Sequence, residues 1–220
     1  MGVFFCIMKK ADRFKNVINY FEIHKPVAET ELHYKTAYEL IVAVILSAQC
    51  TDKRVNIITP AFFTKFPKCS NLALAEFDEV FALIRSCSYP NSKTNYLIGM
   101  ARTLVEKFDE EVPSTREKLQ QLPGIGRKSA NVILSVVFNQ PEMAVDTHIF
   151  RVSARIGLTE NAKNPYETEK QLVEFIEKDK IPIAHHWLIL HGRYTCVARK
   201  PKCKECGLTE YCHFFQKNNK

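Results

Sequence analysis

Apolar residues recur every three or four positions along much of this chain, and this spacing constrains the fold more than any other feature. The segment YELIVAVILSAQ (38–49) is apolar nearly all round, as expected of a helix buried in the middle of a bundle. Segments 55–66, 77–85 and 93–108 each place their apolar residues on one helical face. Only seven glycines and no sustained alternation of apolar and polar residues leave little room for a sheet. The sequence therefore predicts an all-α fold.

Residues with capping side chains mark where several of these helices begin. Thr51 and Asp52 can cap the helix that follows them. Ser114 and Glu117 form an S-x-x-E pattern, which predicts a capping box before a short helix. Asn164 opens an N-P-x-E pattern that predicts another start, with proline at its favoured first helical position.

Charge and apolar run lengths restrict the partners and the compartment. An excess of Lys and Arg over Asp and Glu, 31 against 24, gives a net charge of +7 and favours an anionic partner, although ordinary solubility is the alternative. The N-terminal MGVFFCIMKK has an apolar run too short for a signal peptide, and its lysines follow that run. No stretch approaches the ~20 apolar residues of a membrane span. We therefore expect a cytoplasmic protein without a membrane partner.

Eight cysteines are divided between scattered positions and a dense C-terminal group. Cys6, Cys50, Cys69 and Cys87 lie far apart, whereas the tail CVARKPKCKECGLTEYC has the spacing C-x6-C-x2-C-x5-C. Four thiolates suffice for a tetrahedral zinc ion or a 4Fe-4S cluster, and the spacing alone does not choose between them. The six-residue loop VARKPK is basic, so a metal that fixes it would create a phosphate-binding edge. Free thiols also favour a reducing compartment.

The stretch LPGIGRKSANVI (122–133) leads from two closely spaced glycines into an apolar helical run. It lacks the third glycine of a dinucleotide-binding loop, and its glycines are too close together for a Walker loop. We interpret it as a tight turn between two helices, in which Gly124 and Gly126 allow positive φ and close approach by another backbone. The first amides of the second helix would then form a phosphate nest, whereas a plain turn with a surface lysine is the alternative.

A lysine and an aspartate near this turn suggest chemistry that passes through a cation. An ordinary lysine is protonated at neutral pH, but partial burial, nearby cations or the positive end of a helix can make its amine a nucleophile that forms a Schiff base. Lys128 lies where the second helix starts. Asp146 can cap the helix of AVDTHIFRVSARIGL (144–158), and as a carboxylate it can stabilise positive charge in a reaction.

Four motifs together resemble the endonuclease III family of helix-hairpin-helix DNA glycosylases. They are LPGIGRKSAN, VDTHIFRV, HHWLILHGRYTC and the four-cysteine tail, and the similarity runs from about residue 30 to residue 212. The resemblance implies two all-α domains with a DNA groove between them. One is a six-helix barrel over 30–140, with the helix-hairpin-helix motif at about 115–138. The other is an iron-sulfur cluster domain formed by 1–29 with 141–220.

The resemblance also implies an activity and its machinery. The expected enzyme is a bifunctional DNA glycosylase and abasic-site lyase of base excision repair, which acts as a monomer on damaged double-stranded chromosomal DNA and prefers oxidised pyrimidines. Lys128 would attack the sugar C1′, Asp146 would stabilise the developing sugar cation, and one 4Fe-4S cluster would be held by Cys196, Cys203, Cys206 and Cys212. The residues expected to contact DNA are Gln49, Tyr89, Lys93, Leu122, Gly124, Gly126, Arg127, His148, Arg199 and Lys200.

The chain departs from the family pattern at one position, and three other interpretations compete with this one. Tyr89 and Pro90 stand where the family usually has a leucine-tyrosine pair, so Tyr89 falls at the expected apolar wedge. The first alternative is an adenine glycosylase, a class that shares the hairpin but lacks the lysine. The second is a DNA-binding redox or iron sensor, which would need neither Lys128 nor Asp146. The third is a zinc regulator. His185, His186 and His191 are interpreted as packing or hydrogen-bonding residues, since no H-E-x-x-H motif is present.

Overall fold

The computed structural model of the protein describes residues 8–218, so Cys6 and most of the N-terminal run considered above lie outside the described residues. Every regular element within this range is helical, which confirms the all-α prediction. In the described part we find no helix that is both long and apolar enough to cross a membrane. The α-helices are α1 (Lys10–His24), α2 (Ala37–Ser47), α3 (Asp52–Lys65), α4 (Cys69–Ala73), α5 (Phe77–Ile84), α6 (Pro90–Phe108), α7 (Arg116–Leu119), α8 (Arg127–Phe138), α9 (Thr147–Ile156), α10 (Pro165–Phe175), α11 (Ile181–Tyr194) and α12 (His213–Asn218).

The chain divides into two compact units, which we call the central unit (Thr30–Gln140) and the terminal unit (Met1–Glu29 with Pro141–Lys220). The terminal unit is therefore built from two segments that are distant in sequence. The proposed identities of these units, a six-helix barrel and an iron-sulfur cluster domain, stay predictions.

The central unit packs its helices around α2. The residues of α2 from 40 to 46 are all buried, because this helix is apolar on every side. Helices α3, α6 and α8 contact it. Fully burying an apolar side chain of this size contributes about 1.5–3 kcal/mol, so α2 supplies much of the stability on which the surrounding loops depend.

The terminal unit joins α1 to helices near the other end of the chain. The ring of Trp187 in α11 stacks on Phe21 with centroids 5.7 Å apart, and its Nε1 donates to the carbonyl of Lys25 at 2.7 Å. The buried Arg13 donates from Nε to Tyr211 O at 2.9 Å and from Nη1 to Gly157 O at 3.2 Å. Buried polar groups require such partners, and these bonds explain why α1 packs with the C-terminal helices.

The capping predictions are confirmed at three helices and wrong at one. Thr51 accepts from the amide of Arg54 at 3.2 Å, Asn164 from that of Glu167 at 2.9 Å, and Asp146 caps α9. At α7 the cap is Thr115, whose Oγ1 accepts from the amide of Lys118 at 3.4 Å, and not the predicted Ser114. The two adjacent hydroxyl residues fit the same pattern, and the path of the chain decides between them.

Candidate functional site

The glycine-containing turn between α7 and α8 is held by buried apolar side chains. Leu122 is 1% exposed and Ile125 is 5% exposed, so both side chains point into the core of the central unit. The amide of Leu122 donates to Leu119 O at 3.0 Å, and that of Ile125 donates to Leu122 O at 3.1 Å. Leu122 therefore anchors the turn, and its side chain is not exposed to a ligand.

The two glycines of the turn differ in what the fold requires of them. Gly124 has φ +83°, and a Cβ there would lie 2.8 Å from Cβ of Tyr96, so both backbone and packing exclude a larger residue. Gly126 has φ −88° and ψ −179°, an ordinary extended conformation, and a Cβ there would meet nothing within 4 Å. The prediction of positive φ is confirmed for Gly124 and wrong for Gly126. Neither the backbone conformation nor the packing around position 126 requires a glycine there.

Lys128 extends from the first turn of α8. The first intrahelical bond of α8 runs from the amide of Ala130 to Gly126 O at 2.9 Å, and Gly126 has no side chain to cap the earlier amides. The side chain of Lys128 is exposed, and that of Arg127 is half-buried. The partial burial that was one expected means of activating Lys128 is thus absent in the described protein.

Gln49 and Tyr89 lie on two neighbouring loops of the central unit. Gln49 follows the end of α2, Tyr89 immediately precedes α6, and both have φ +53°, which is uncommon for residues other than glycine. The hydroxyl of Ser88 donates to Gln49 O at 2.6 Å and joins the loops directly. Both predicted residues have exposed side chains, with Tyr89 63% exposed. We call the loops 47–51 and 85–89 the paired loops.

Lys93 occupies a different position from the one predicted for it. Its side chain is buried at 3% exposure, and Nζ donates to Leu46 O at 2.7 Å and to Ala48 O at 2.8 Å. Burial lowers the pKa of this amine, and the nearby Cys87 and Cys50 oppose that shift. A direct contact of Lys93 with DNA is therefore corrected to an internal role, in which it caps the carbonyl end of α2 and holds the loop that carries Gln49.

Asp146 and His148 begin α9 in the terminal unit, whereas Lys128 belongs to the central unit. Oδ1 of Asp146 accepts from the amide of Ile149 at 2.8 Å, which fixes the carboxylate at the start of the helix. Nδ1 of the half-buried His148 lies 3.3 Å from Nη2 of Arg151. The cap leaves the second carboxylate oxygen of Asp146 available for another role.

The four tail cysteines line one cavity of the terminal unit. His191 also lines this cavity, with Nε2 3.8 Å from Sγ of Cys206. All four thiols are half-buried, and no disulfide joins the cysteines of the described range. Burial raises the pKa of both Cys206 and Cys212. Within residues 8–218 no three His, Cys, Asp or Glu side chains are placed to hold a single metal ion.

Two arginines of α9, Arg151 and Arg155, hold the basic loop 197–202 between the first two tail cysteines. Arg155 donates from Nη1 to Val197 O at 2.9 Å and from Nη2 to Ala198 O at 2.7 Å. Arg151 donates from Nε to Cys196 O at 3.2 Å. These bonds leave the loop residues Arg199 and Lys200 exposed. Sequence reasoning missed both arginines, although their spacing of four residues placed them on one helical face.

Comparison with known proteins adds a family to this geometry. Residues 42–178 match the family model described as HhH-GPD superfamily base excision DNA repair protein. Endonuclease III of Rickettsia felis is 42% identical over 199 residues, covering 90% of this chain and 93% of that protein. Endonuclease III of Escherichia coli K12 is 39% identical over 210 residues, covering 96% of this chain and 99% of that protein. A solved structure of a trapped covalent intermediate of endonuclease III with DNA superposes with a TM-score of 0.90 at 36% identity, covering 97% of this chain and 100% of that chain.

The chain thus belongs to the HhH-GPD superfamily of base excision DNA repair proteins and, within it, to the endonuclease III family. The predicted family and enzyme class, a DNA glycosylase and abasic-site lyase of the endonuclease III type, are confirmed. A thymine-DNA glycosylase structure at 22% identity and a TM-score of 0.83 shares the fold.

Proposed function

We propose that this chain removes damaged bases, oxidised pyrimidines above all, from double-stranded chromosomal DNA and then cleaves the abasic site through a Schiff base on Lys128. The observation that carries the proposal is the exposed amine of Lys128 in the first turn of α8, two residues after a glycine for which the fold has no need. The related endonuclease III that was trapped covalently on DNA supports it.

In this mechanism Lys128 and Asp146 have separate tasks. Nζ of Lys128 bonds to the sugar C1′ as the glycosidic bond breaks, and the base leaves with the electron pair of that bond. Asp146 stabilises the positive charge that develops on the sugar, since its carboxylate is fixed at the start of α9 by the amide of Ile149. The C1′–O4′ bond then breaks as the C1′=N bond forms, and the two protons that Nζ gives up go to the released base and to O4′. Loss of a C2′ proton breaks the C3′–O bond, the phosphate leaves with that oxygen, and the strand is cut.

The turn between α7 and α8 is the proposed phosphate-binding element. The amides that open α8 and the helix dipole favour an anion. Gly126, with no atom within 4 Å of a Cβ built there, permits a DNA backbone to approach closely, and Gly124 fixes the turn. Arg127 adds positive charge, whereas the buried Leu122 contributes as an anchor and not as a contact. His148, Arg199 and Lys200 are the proposed DNA contacts of the terminal unit.

The paired loops are proposed to occupy the space left by a base that has been flipped out of the helix. Gln49 and Tyr89 are exposed and project from loops whose backbones are held in left-handed conformations. Ser88 and Lys93 hold these loops from inside, and such preorganisation reduces the cost of ordering them on binding.

The tail cysteines are proposed to hold one 4Fe-4S cluster. Four thiols line a single cavity. Their spacing has one C-x2-C pair and a long basic loop, which suits a cluster better than a zinc module with two such pairs. A bound cluster would supply four iron-thiolate bonds that tie the basic loop to the terminal unit. Arg155 and Arg151 already hold that loop through its carbonyls.

The test of the mechanism is reduction with borohydride in the presence of an abasic duplex. The wild-type protein should be trapped on DNA, and Lys128→Gln should lose the trap and nearly all strand scission while it still binds the duplex. Lys118→Gln is the matched control, since this exposed lysine lies on α7 of the same motif. If Lys128→Gln crosslinks at the wild-type rate, Lys128 is not the nucleophile, and the turn only binds DNA.

Asp146→Asn separates charge from capping, because an asparagine oxygen can still accept from the amide of Ile149. Base release should fall by about 10²-fold or more if the carboxylate stabilises the sugar cation. Trapping on a preformed abasic site should persist, since the amine remains. An Asp146→Asn protein that releases bases at the wild-type rate would exclude this role.

A further inference from the structure

A pair of thiols lies inside the paired loops of the central unit. Sγ of Cys50 is 3.7 Å from Sγ of Cys87, although the residues are 37 positions apart in the chain. Cys50 follows Gln49, and Cys87 is two residues before Tyr89. The mechanism proposed above uses neither thiol. We propose that Cys50 and Cys87 form a reversible disulfide that lowers the affinity of the protein for damaged DNA.

The positions and burial of the two thiols favour a disulfide between them over separate oxidation of each thiol. Cys50 is half-buried and thus open to small oxidants, whereas Cys87 is 5% exposed. Burial raises the pKa of the Cys87 thiol to about 11, so an oxidant reacts first at Cys50. The nearest thiol then resolves the oxidised sulfur. Cys69, the other described cysteine of the central unit, is directed instead to Ala101 O, at 3.4 Å from Sγ.

Hydrogen peroxide as the oxidant gives a balanced reaction. The Cys50 thiol gives up its proton, and its sulfur attacks one peroxide oxygen. The O–O bond breaks, Cys50 becomes a sulfenic acid, and the departing hydroxide takes up the Cys50 proton as the first water. Cys87 sulfur then attacks Cys50 sulfur, the S–O bond breaks, and hydroxide leaves with the Cys87 proton as the second water. Two thiols and one peroxide thus give one disulfide and two waters. A dithiol reductant reverses the change.

The consequence for DNA binding follows from the contacts around the pair. A disulfide has its sulfurs about 2.05 Å apart, so the two sulfurs must approach from the observed 3.7 Å, and the backbones of the paired loops take up part of that approach. Gln49 O is held by Ser88, and the preceding carbonyl of Ala48 is held by Lys93. Because Cys50 directly follows Gln49, Cys87 lies two residues before Tyr89, and the Ser88 bond joins the two loops, a shift of either cysteine displaces Gln49 and Tyr89. A misplacement of about 1 Å can lower a reaction rate on the order of 10²-fold where geometry is critical, and binding that depends on the geometry of the paired loops should weaken for the same reason.

This inference rests on the proposed role of the paired loops in DNA binding, and the experiment separates the two. The holoprotein is treated with a small excess of hydrogen peroxide, digested without reduction and mapped by mass spectrometry. Binding to an oxidised-pyrimidine duplex is measured on the same samples before oxidation, after it, and after dithiothreitol. The variants are Cys50→Ser, Cys87→Ser and, as the control, Cys69→Ala. For each variant, the affinity after oxidation is compared with the affinity of the same variant before oxidation. The iron content is measured in every sample.

We expect a crosslinked peptide that joins Cys50 to Cys87 in the wild type and in Cys69→Ala, with a loss of affinity of fivefold or more that dithiothreitol reverses. Neither Cys50→Ser nor Cys87→Ser should lose affinity on oxidation. The proposal is overturned if both cysteines stay reduced or carry only separate oxidations, or if the crosslink forms without a change in affinity. If the reduced protein does not prefer damaged duplex, the proposed function is refuted instead. The two failures can be told apart because mass spectrometry detects the disulfide without any DNA.

Discussion

Two regions of the molecule differ in how their geometry is maintained. One consists of the hairpin turn and the paired loops, and the other is the cysteine cavity. In the central unit, the carbonyls and turns beside the predicted DNA contacts are held by other groups of the same chain, such as Lys93 on Leu46 O and Tyr96 against Gly124. In the terminal unit, four cysteines line one cavity. Arg155 and Arg13 hold the chain around it through the carbonyls of Val197 and Tyr211, but the four thiols themselves are proposed to be joined by a cluster.

The hairpin turn and the paired loops are thus preorganised by folding, whereas the cysteine cavity, with the proposed cluster as its occupant, would depend on a group that must be added. A metal site rarely forms fully in an unfolded chain, so the free energy of binding becomes free energy of folding. The central unit should therefore keep its geometry without any cofactor. The terminal unit should lose much of its stability when the cofactor is lost.

The largest effect should follow substitution of a tail cysteine. We expect Cys206→Ala to lose the bound iron and to destabilise the terminal unit by more than about 3 kcal/mol. Iron content and the urea dependence of Trp187 fluorescence report this, since the chain has a single tryptophan and it lies in α11. Cys69→Ala in the central unit should retain its iron. A Cys206→Ala protein with a full complement of iron would contradict the proposed site.

The next effect should come from Lys93, which tests whether the central unit is held by its own contacts. Lys93→Met leaves the carbonyls of Leu46 and Ala48 without their donor, and an unsatisfied buried group costs about 1–3 kcal/mol. We expect destabilisation of about 2–4 kcal/mol in urea, together with weaker binding of lesion duplex. Lys65→Met, which removes an exposed ion pair to Glu79, should destabilise the protein much less, because solvent screens that pair. Equal costs for the two substitutions would be evidence against the internal role of Lys93.

A smaller effect should appear in the terminal unit when the pH falls. Burial lowers the pKa of His186 to about 4 from an ordinary value of 6.5, so between these values the unfolded chain binds a proton that the folded chain does not. This contribution to stability is present above pH 6.5 and is lost as the pH falls towards 4. From pH 7 to pH 5 we expect His186 to contribute a loss of about 2 kcal/mol, and this part of the pH slope should be missing in His186→Gln. Identical pH slopes for both proteins would show that His186 does not titrate in this way.

The smallest effect on stability should be that of Gly126→Ala. Nothing lies within 4 Å of the added Cβ, so the urea midpoint should change by less than the equivalent of about 0.5 kcal/mol. Binding to duplex DNA should nevertheless weaken, because the methyl group stands where a backbone is proposed to approach. Gly124→Ala should cost more than about 1 kcal/mol through its positive φ and its contact with Tyr96. If Gly126→Ala binds DNA with the wild-type affinity, the proposed approach of a DNA backbone to Gly126 is wrong.

The sequence predicted the helices and caps well where a local signal was sufficient. Helix α2 is apolar on all sides, and Asp146 and Asn164 have capping side chains directly before apolar runs, so neighbouring residues carry the information. The position of Lys93 depends on a carbonyl 47 residues away, and the pairing of Cys50 with Cys87 spans 37 residues. No local pattern signals such contacts. The difference between Gly124 and Gly126 likewise depends on Tyr96, which belongs to another helix.

The most direct test of the central claim is to locate the covalent bond between the protein and DNA. After reduction with borohydride on an abasic duplex, the complex is digested with nuclease and protease, and the modified peptide is sequenced by mass spectrometry. We expect the reduced sugar remnant on Nζ of Lys128, in the peptide that contains the first turn of α8. A remnant on Lys118, on another lysine or on the chain's amino terminus, with Lys128 unmodified, would contradict it.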